Sequence, residues 1–399
     1  MASPSSFIAI VLILSCGLLG GYASMGLAFQ HGFFEAIGDC LRVAHGTASP
    51  STECVLIRAH EYHRSRYTGI TALDNAFCLL FEFFAMGFAG PSDLGKVDYG
   101  GLMSSSYMAT LFCGAWFLMA MEGLRKRNSG TILSYTGLFG IVFQIATIAI
   151  TAPIYLTLQI LSLPPVQDYE TVAVDSIDLS TLPWATTISY ILPSLGLALP
   201  ALNILSVRGN YHAIALWQPF PLYQSVLHPL LRSLFGRSSQ SSKRRESPEQ
   251  VEKSLGKAYR FVLSVCMGVH LVVVGTLVAN HFQNFIPGLT FAEALGPTSL
   301  TNPPILAMAQ TPVPAAVSRD IVGAFLRWDI YSTSASFILW ASYLAYSTEK
   351  GPGFFGILEK ILFWTVAGGP IAAAAMLLWE RDLAVLKKVR ASQASTKKK

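Results

Sequence analysis

The chain has 399 residues, of which 52% are hydrophobic and only 13% are charged. A soluble domain has about 25% charged residues, so this composition excludes an ordinary soluble domain and predicts a helical membrane protein. The formal net charge of +5 is more informative by position than as a sum, because positive charges orient membrane helices. We expect the lipid bilayer as a partner and no nucleic acid.

We predict one all-α integral membrane domain covering residues 1–399. A span needs about 20 apolar residues, which gives about eight spans, with about seven or nine as alternatives. In chain order the predicted spans are 7–29, 69–90, 102–124, 131–161, 184–205, 259–281, 322–346 and 356–379. The fourth is longer than one crossing needs, and Pro153 inside it predicts a kink.

Three segments between or after these spans have distinct compositions. Residues 236–258 contain the run SSQSSKRRESPEQVEKS, which predicts a flexible, basic cytosolic loop. Residues 214–235 are apolar but contain three prolines, so they could dip into the membrane or lie on it. Residues 380–399 form a basic C-terminal tail that ends in three lysines.

The distribution of Lys and Arg predicts the orientation of the spans. Basic residues concentrate in the odd-numbered connections, which places those connections in the cytosol and the N-terminus outside. A count of about eight spans would then put the basic tail outside as well, against the same rule. Either the eighth span is not a simple crossing, or residues 214–235 add another crossing.

Two acidic residues lie deep inside predicted spans. Glu82 lies within the apolar run GITALDNAFCLLFEFFAMGFAG, and Asp329 lies within FLRWDIYSTSASFILWASYLAY. A charged side chain at such a depth costs roughly 2.5–3.5 kcal/mol or more, and intramembrane acids usually have a function. At 1.5 Å per residue, both carboxyls should lie about 10–12 Å below the same end of the bundle.

Other polar residues in the spans have simpler explanations. His270 is most readily explained as an interhelical hydrogen bonder, and Glu122 lies near a helix end where pairing with Arg125 is sufficient. Aromatic residues make up 12% of the chain and usually face lipid or the core. We therefore single out mainly the aromatic residues that flank the two carboxyls.

Two buried carboxyls among aromatic side chains suit acid-initiated cyclisation of an isoprenoid. A protonated acid can donate its proton to an epoxide or an alkene, and aromatic faces can stabilise the resulting carbocation. We predict Glu82 and Asp329 as the catalytic residues. The predicted substrate-contacting and cation-stabilising residues are Phe81, Trp328, Tyr331, Trp116 and Tyr107, and we predict no metal site.

The stretch TGITALDNAFCLLFEFF, the multi-span layout and the later FLRWDIYSTSASF resemble membrane-bound meroterpenoid cyclases of fungal secondary-metabolite clusters. Such enzymes close an epoxyfarnesyl chain in ascofuranone-type pathways. Smaller, seven-span meroterpenoid cyclases are similar in using one Glu and one Asp on membrane helices, as Glu82 and Asp329 would here. The resemblance implies an epoxide-opening terpene cyclase that acts on a lipophilic prenylated substrate without a cofactor.

Two other classes of function remain open at this point. Proline-interrupted helices with an intramembrane acid also fit a multi-span transporter of a lipophilic metabolite, and a non-enzymatic membrane scaffold is possible. The sequence contains no Asp-rich diphosphate motif, P-loop, G-x-S-x-G or H-E-x-x-H pattern, which modestly favours the cyclase. The endoplasmic reticulum is the expected location of a polytopic biosynthetic enzyme.

Overall fold

The computed structural model of the protein describes residues 4–30, 32–35, 38, 68–87, 97, 99–164, 167–202, 204–236, 246–296, 318–348 and 352–397. Every regular element within these residues is a helix, which confirms the all-α class. Within the same residues, three helices are long and apolar enough to cross a membrane: Pro4–Gln30, Tyr99–Gly123 and Pro248–Gln283. The count of about eight spans stays a prediction.

The helices that position the site are numbered here in chain order. The first half of the chain forms α1 (Pro4–Gln30), α2 (Thr71–Gly87), α3 (Tyr99–Gly123), α4 (Thr136–Ala146) and α5 (Ile148–Ser162). The second half forms α6 (Ser176–Thr186), α7 (Leu192–Ala198), α8 (Val207–Trp217), α9 (Phe220–Gly236), α10 (Pro248–Gln283), α11 (Ser318–Tyr346), α12 (Phe354–Gly368) and α13 (Pro370–Lys397). A π-helical turn, Thr187–Ile191, joins α6 to α7.

The outer surface of the bundle carries large apolar side chains. On α12, Phe355 is 82% exposed, Val366 is 78% exposed and Phe363 is 62% exposed, and Leu18 of α1 is 76% exposed. A soluble protein rarely leaves so many large apolar groups in water. These faces are suited to contact with lipid.

Local signals explain where α10 begins and ends. The Ser247 hydroxyl accepts a hydrogen bond from the backbone N–H of Gln250, and Pro248 occupies the first turn, where its missing N–H costs nothing. The helix ends at Asn284, which is in the left-handed conformation. Part of the predicted flexible loop 236–258 is therefore helical from Pro248 onward, while residues 237–245 lie outside the described residues.

The predicted span 131–161 is two antiparallel helices rather than one kinked helix. The break lies at Thr147, between α4 and α5, and Pro153 is inside α5. Gly123 at the end of α3 packs against Thr136 at the start of α4. At the other end of the pair, Gln159 donates a hydrogen bond to Glu122, also at the end of α3. The chain thus leaves and returns to the same end of the bundle.

The predicted span 356–379 is also a pair of antiparallel helices. The backbone breaks at Gly369, whose φ of +86° suits glycine, and the next residue, Pro370, starts α13. Lys360 of α12 pairs with Glu380 of α13 across the pair. The basic tail 380–399 is helical as far as Lys397.

Residues 214–235 largely form α9, which packs antiparallel to α6. Arg232 near the end of α9 pairs with Asp178 near the start of α6. About two turns further along, Gln224 of α9 accepts a hydrogen bond from Thr186 at the end of α6. The proline-containing stretch therefore runs back along the bundle.

The N-terminus lies at the end of the bundle where α3, α11 and α13 terminate. Helix α1 runs antiparallel to α11, because Cys16 lies beside Ser336 and Gly20 packs against Ser332. The C-terminal part of α11 contacts the same region, where Gln167 donates to the Leu344 carbonyl. Our placement of the N-terminus opposite the loop after α3 was therefore wrong, because the antiparallel packing of α1 on α11 puts the start of α1 at the end of the bundle where α3 ends.

A closed cluster of four charged side chains joins α3, α10 and α13 at this end. Glu122, Arg125, Arg381 and Asp382 are each at most 2% exposed. The Arg125 guanidinium lies 2.5 Å from Glu122 Oε2 and 3.0 Å from Asp382 Oδ2. Tyr259 of α10 also donates to Asp382 at 2.8 Å. The pairing of Glu122 with Arg125 is therefore present, and the two acids balance the two arginines.

Candidate active site

A cavity of about 420 Å³ lies between α1, α2, α3, α4, α8 and α11. This volume is within the range of about 300–1,000 Å³ that is typical of small-molecule sites. Its wall is mostly apolar and contains nine aromatic side chains: Phe29, Phe34, Phe83, Phe84, Phe112, Phe143, Tyr190, Trp217 and Phe325. Such a lining excludes water and presents electron-rich faces to a bound molecule.

Five side chains with polar groups contribute to the wall: Gln144, Thr147, Tyr190, Trp217 and Asp329. The Gln144 amide donates to the Gln218 carbonyl at 3.0 Å, and the Tyr190 hydroxyl donates to the Ala109 carbonyl at 2.8 Å. Asp329 supplies the one carboxyl group among the residues described as lining the cavity.

The Asp329 carboxyl is held by the first turn of α5. Its Oδ1 accepts a hydrogen bond of 2.7 Å from the backbone N–H of Ala149. This N–H belongs to the first turn of a helix, where no intrahelical partner exists, so Asp329 caps α5 from a distant part of the chain. This bond fixes one carboxyl oxygen of Asp329 against the start of α5.

Glu82 lies on a different face of α2 from the residues that line the cavity. It is 1% exposed, and its Oε2 accepts a hydrogen bond of 2.8 Å from the Tyr211 hydroxyl of α8. Its neighbours Phe83 and Phe84 line the cavity, whereas Glu82 is not part of the described lining. The two predicted carboxyls therefore have different surroundings, and a joint role stays a prediction.

The five predicted aromatic residues lie outside the described lining of this cavity. Phe81 stacks on Phe77, Trp328 is buried, and the Tyr331 hydroxyl donates to the Leu295 carbonyl. The remaining two, Tyr107 and Trp116, lie on α3. Trp116 donates to Gln224 beside a separate cavity of about 400 Å³, and Tyr107 hydrogen-bonds to His270.

None of the nine aromatic side chains of the wall was among the predicted site residues, although helical spacing contains a signal for part of the wall. Residues three or four apart share a helix face, and Phe325, Leu326 and Asp329 all line the cavity. The adjacent Trp328 was chosen for its closeness in sequence and faces elsewhere. Phe143 and Trp217 come from helices that are distant in the sequence, and no local sequence pattern predicts that they line this cavity.

Within the described residues, no group of three or more His, Cys, Asp or Glu side chains has an arrangement that could hold a metal ion. The absence of a cofactor stays a prediction. Taken together, the helical fold with lipid-compatible faces and the aromatic cavity with a single carboxyl define a membrane-type protein with a site for an apolar molecule.

Comparison with known proteins identifies the family. Residues 8–386 match the CtvD domain, so the chain belongs to the CtvD-domain family. It is 26% identical to terpene cyclase ascI of Acremonium egyptiacum over 92% of this chain and 90% of that protein. It is 25% identical to terpene cyclase ctvD of Aspergillus terreus, over 93% and 97% of the two chains. No solved structure matches the chain.

A third relative, terpene cyclase atmA of Aspergillus flavus, is 25% identical over 89% of this chain and 91% of that protein. These relatives are terpene cyclases, so the expectation that the protein is an enzyme is confirmed. The family also confirms the resemblance drawn from the sequence. It favours the enzyme over the transporter and the scaffold.

Proposed function

We propose that this enzyme is a terpene cyclase that protonates the epoxide, or an alkene, of a prenylated meroterpenoid precursor and guides cyclisation of the resulting cation. The observation that carries the proposal is the aromatic cavity with the Asp329 carboxyl in its wall. The family supports terpene cyclisation. The substrate would be a lipophilic small molecule that enters from the bilayer, and the endoplasmic reticulum is the proposed location.

In the proposed reaction, the Asp329 carboxyl donates its proton to the epoxide oxygen. The bond between this oxygen and the more substituted carbon breaks, so the oxygen becomes a hydroxyl and the carbon becomes a cation. An alkene or an oxygen atom of the substrate then attacks the cation and closes the ring. Loss of one proton, which the Asp329 carboxylate can accept, gives a product with the mass of the substrate.

The aromatic wall contributes by stabilising charge and excluding water. Phe83, Phe325 and Trp217 come from three different helices and line the same cavity as Asp329. An aromatic face attracts a cation within about 6 Å of the ring centre. Water would otherwise capture the cation before ring closure, so an apolar lining favours the cyclic product.

The two carboxyls are proposed to have different roles. Asp329 contacts the substrate, because it belongs to the cavity wall. Glu82 is proposed as a positioning residue, because its carboxyl receives the Tyr211 hydroxyl and ties α2 to α8. Both helices contribute aromatic residues to the wall, so loss of this tie would change the shape of the cavity.

Membranes from a host that expresses the chain should convert a phenol carrying an epoxyfarnesyl chain into a cyclised isomer of unchanged mass. Asp329→Asn should lower turnover by about 10²–10⁴, the usual worth of a positioned general acid. Glu82→Gln should lower turnover by less than about tenfold, because the amide oxygen can still accept the Tyr211 hydroxyl and only a positioning contact is disturbed. Product is measured by chromatography and mass spectrometry at matched protein levels.

Two controls make this test decisive. Membranes without the chain should leave the epoxide unchanged, and the farnesyl phenol without the epoxide should be a poorer substrate. Near-normal turnover by the Asp329 variant would remove this acid from the mechanism. A loss in the Glu82 variant as large as in the Asp329 variant would mean that Glu82 itself reaches the substrate.

A further inference from the structure

Thr147 has a backbone conformation that its residue type disfavours. Its φ is +65° and its ψ is 152°, in a region that is occupied almost only by glycine. Threonine is branched at Cβ and is therefore a marked outlier there. Glycine would relieve the strain, so the presence of threonine suggests that its side chain has a role.

The backbone on either side fixes Thr147 firmly. Its carbonyl accepts the N–H of Thr151 at 3.2 Å and the Thr151 hydroxyl at 2.8 Å, which begins α5. Two residues along, the N–H of Ala149 is occupied by Asp329. The conformation of Thr147 is thus determined by α5 on one side and by α11 on the other.

The side chain of Thr147 faces the Asp329 carboxyl. It is 6% exposed, and among the described residues its hydroxyl makes no hydrogen bond of normal geometry. Buried hydroxyls are nearly always hydrogen-bonded, so an orphaned one calls for an explanation. A small rotation about χ1 or a small shift of Asp329 would bring the two groups into a hydrogen bond.

The other polar side chains of the cavity wall are engaged elsewhere. Gln144 and Tyr190 donate to the backbone carbonyls of Gln218 and Ala109. Of the described residues, only Thr147 and Ala149 present polar groups to the Asp329 carboxyl in the contacts of this wall. The helix break between α4 and α5 therefore provides the polar groups that contact the Asp329 carboxyl.

We infer that Thr147 is a positioning residue for Asp329: its hydroxyl, together with the Ala149 N–H, fixes the rotation of the carboxyl so that the proton-bearing oxygen points at the substrate. The inference rests on the proposed function, in which Asp329 is the acid. A positioning residue of this kind acts on the chemical step and leaves the binding of an apolar substrate unchanged.

The test is a double-mutant cycle with the epoxyfarnesyl phenol as the probe. Thr147→Val keeps the branched shape but removes the hydroxyl, and should lower kcat about 10- to 100-fold with little change in KM. Thr147→Ser keeps the hydroxyl and should stay within about threefold of the wild type. In an Asp329→Asn background, Thr147→Val should cause almost no further loss, because the group that it positions is gone.

The possible outcomes are distinct. If Asp329→Asn retains full turnover, the proposed function itself fails, and the inference fails with it. If Asp329→Asn is impaired but Thr147→Val adds its full loss in that background, Thr147 acts independently and only the present inference is overturned. Equal losses for the Ser and Val variants would also overturn it, because they would show a packing effect. If the Val variant is not produced, Thr147→Ala takes its place in the cycle.

Discussion

His270 hydrogen-bonds to a backbone carbonyl in α12. This carbonyl has no helical partner, because the residue that would donate to it is a proline. Pro370 has no N–H, so the carbonyl of Val366, four residues earlier, cannot make the usual helical hydrogen bond. His270 Nε2 lies 2.9 Å from this carbonyl oxygen. Because a carbonyl only accepts, Nε2 carries the proton, and Nδ1 accepts the Tyr107 hydroxyl at 3.1 Å.

Removal of the imidazole should therefore destabilise the protein through the α12–α13 break. His270→Ala leaves both the Val366 carbonyl and the Tyr107 hydroxyl without partners, and should cost about 1–3 kcal/mol of unfolding free energy. Tyr107→Phe should cost less, because the carbonyl keeps its donor. Thermal unfolding in detergent micelles measures both.

His281 on the same helix provides a matched control, because it is exposed. His281→Ala should change the unfolding free energy by less than about 0.5 kcal/mol. If His270→Ala were as mild as this control, the histidine would not be supporting the break. A changed product pattern in Tyr107→Phe with unchanged stability would instead support the predicted contact of Tyr107 with the substrate.

Single residues could be predicted from the sequence only when their chemistry was unusual for their surroundings. Asp329 stood out because an acid inside an apolar helix is costly, and the structure has it in the cavity wall. Glu82 stood out for the same reason, but the sequence could not reveal that Tyr211 would meet it from α8. Trp116 is one of many aromatic residues, and its partner Gln224 is 108 positions away.

At the scale of helices, tertiary contacts override the expected position of a break. Pro153 predicted a kink, but α5 continues through it, and its ring packs against Gly17 of α1. The break occurs instead at Thr147, where Asp329 caps the new helix. The capping residue is 180 positions from Ala149, so no window of the sequence around 131–161 contains the information.

Close helix packing gives a second testable consequence at this scale. A Cβ added at Gly20 of α1 would lie 2.0 Å from Ser332 Oγ and 2.8 Å from Ala149 Cβ. Gly20→Ala should therefore push α1 away from α5 and α11 and cost about 1–3 kcal/mol. The unfolding midpoint in detergent should fall accordingly.

Gly268 in α10 is the matched control, because a Cβ there would meet nothing within 4 Å. Gly268→Ala should stabilise the protein by about 0.4–1 kcal/mol, since alanine loses less conformational freedom on folding. Opposite signs for the two variants are expected. Two variants with the same sign would mean that the approach of α1 to α11 is not as close as described.

For the whole molecule, the cluster of Glu122, Arg125, Arg381 and Asp382 is the main polar crosslink that the described residues provide between distant parts of the chain. Loss of one partner of a buried ion pair leaves the other charge uncompensated and costs about 3–5 kcal/mol. Asp382→Asn should therefore strongly destabilise the fold while leaving the aromatic cavity chemically unchanged. Urea or thermal unfolding of the purified protein measures the effect.

The neighbouring pair of Lys360 and Glu380 is the control for this prediction, because its members are 34% and 32% exposed. Such partly exposed pairs contribute about 0–1 kcal/mol, so Glu380→Gln should be mild. The Asp382 effect should also persist at high salt, since buried pairs are poorly screened. Equal effects of the two variants would show that the buried cluster contributes no more to the unfolding free energy than the partly exposed pair does.

The course of the chain through the bundle predicts the membrane topology. The N-terminus, the loop containing Arg125, the start of α10 and the end of α13 meet at one end. In the sequence, the basic residues of 237–245 shortly precede α10, and three lysines end the chain. The positive-inside rule predicts that this end lies in the cytosol, and the α12–α13 hairpin removes the earlier conflict over the tail.

Glycosylation mapping tests this arrangement on a clean background, because the chain contains no Asn-x-Ser/Thr acceptor of its own. Acceptor sites placed at the N-terminus, within 237–245 and after Lys397 should stay unmodified, because we predict that those positions face the cytosol. Sites placed near residues 204–206 and 285–289, at the opposite end, should be glycosylated. Modification of the N-terminal site together with protection of the C-terminal site would contradict the prediction that both termini lie at one end of the bundle. It would imply an odd number of membrane crossings between the two termini.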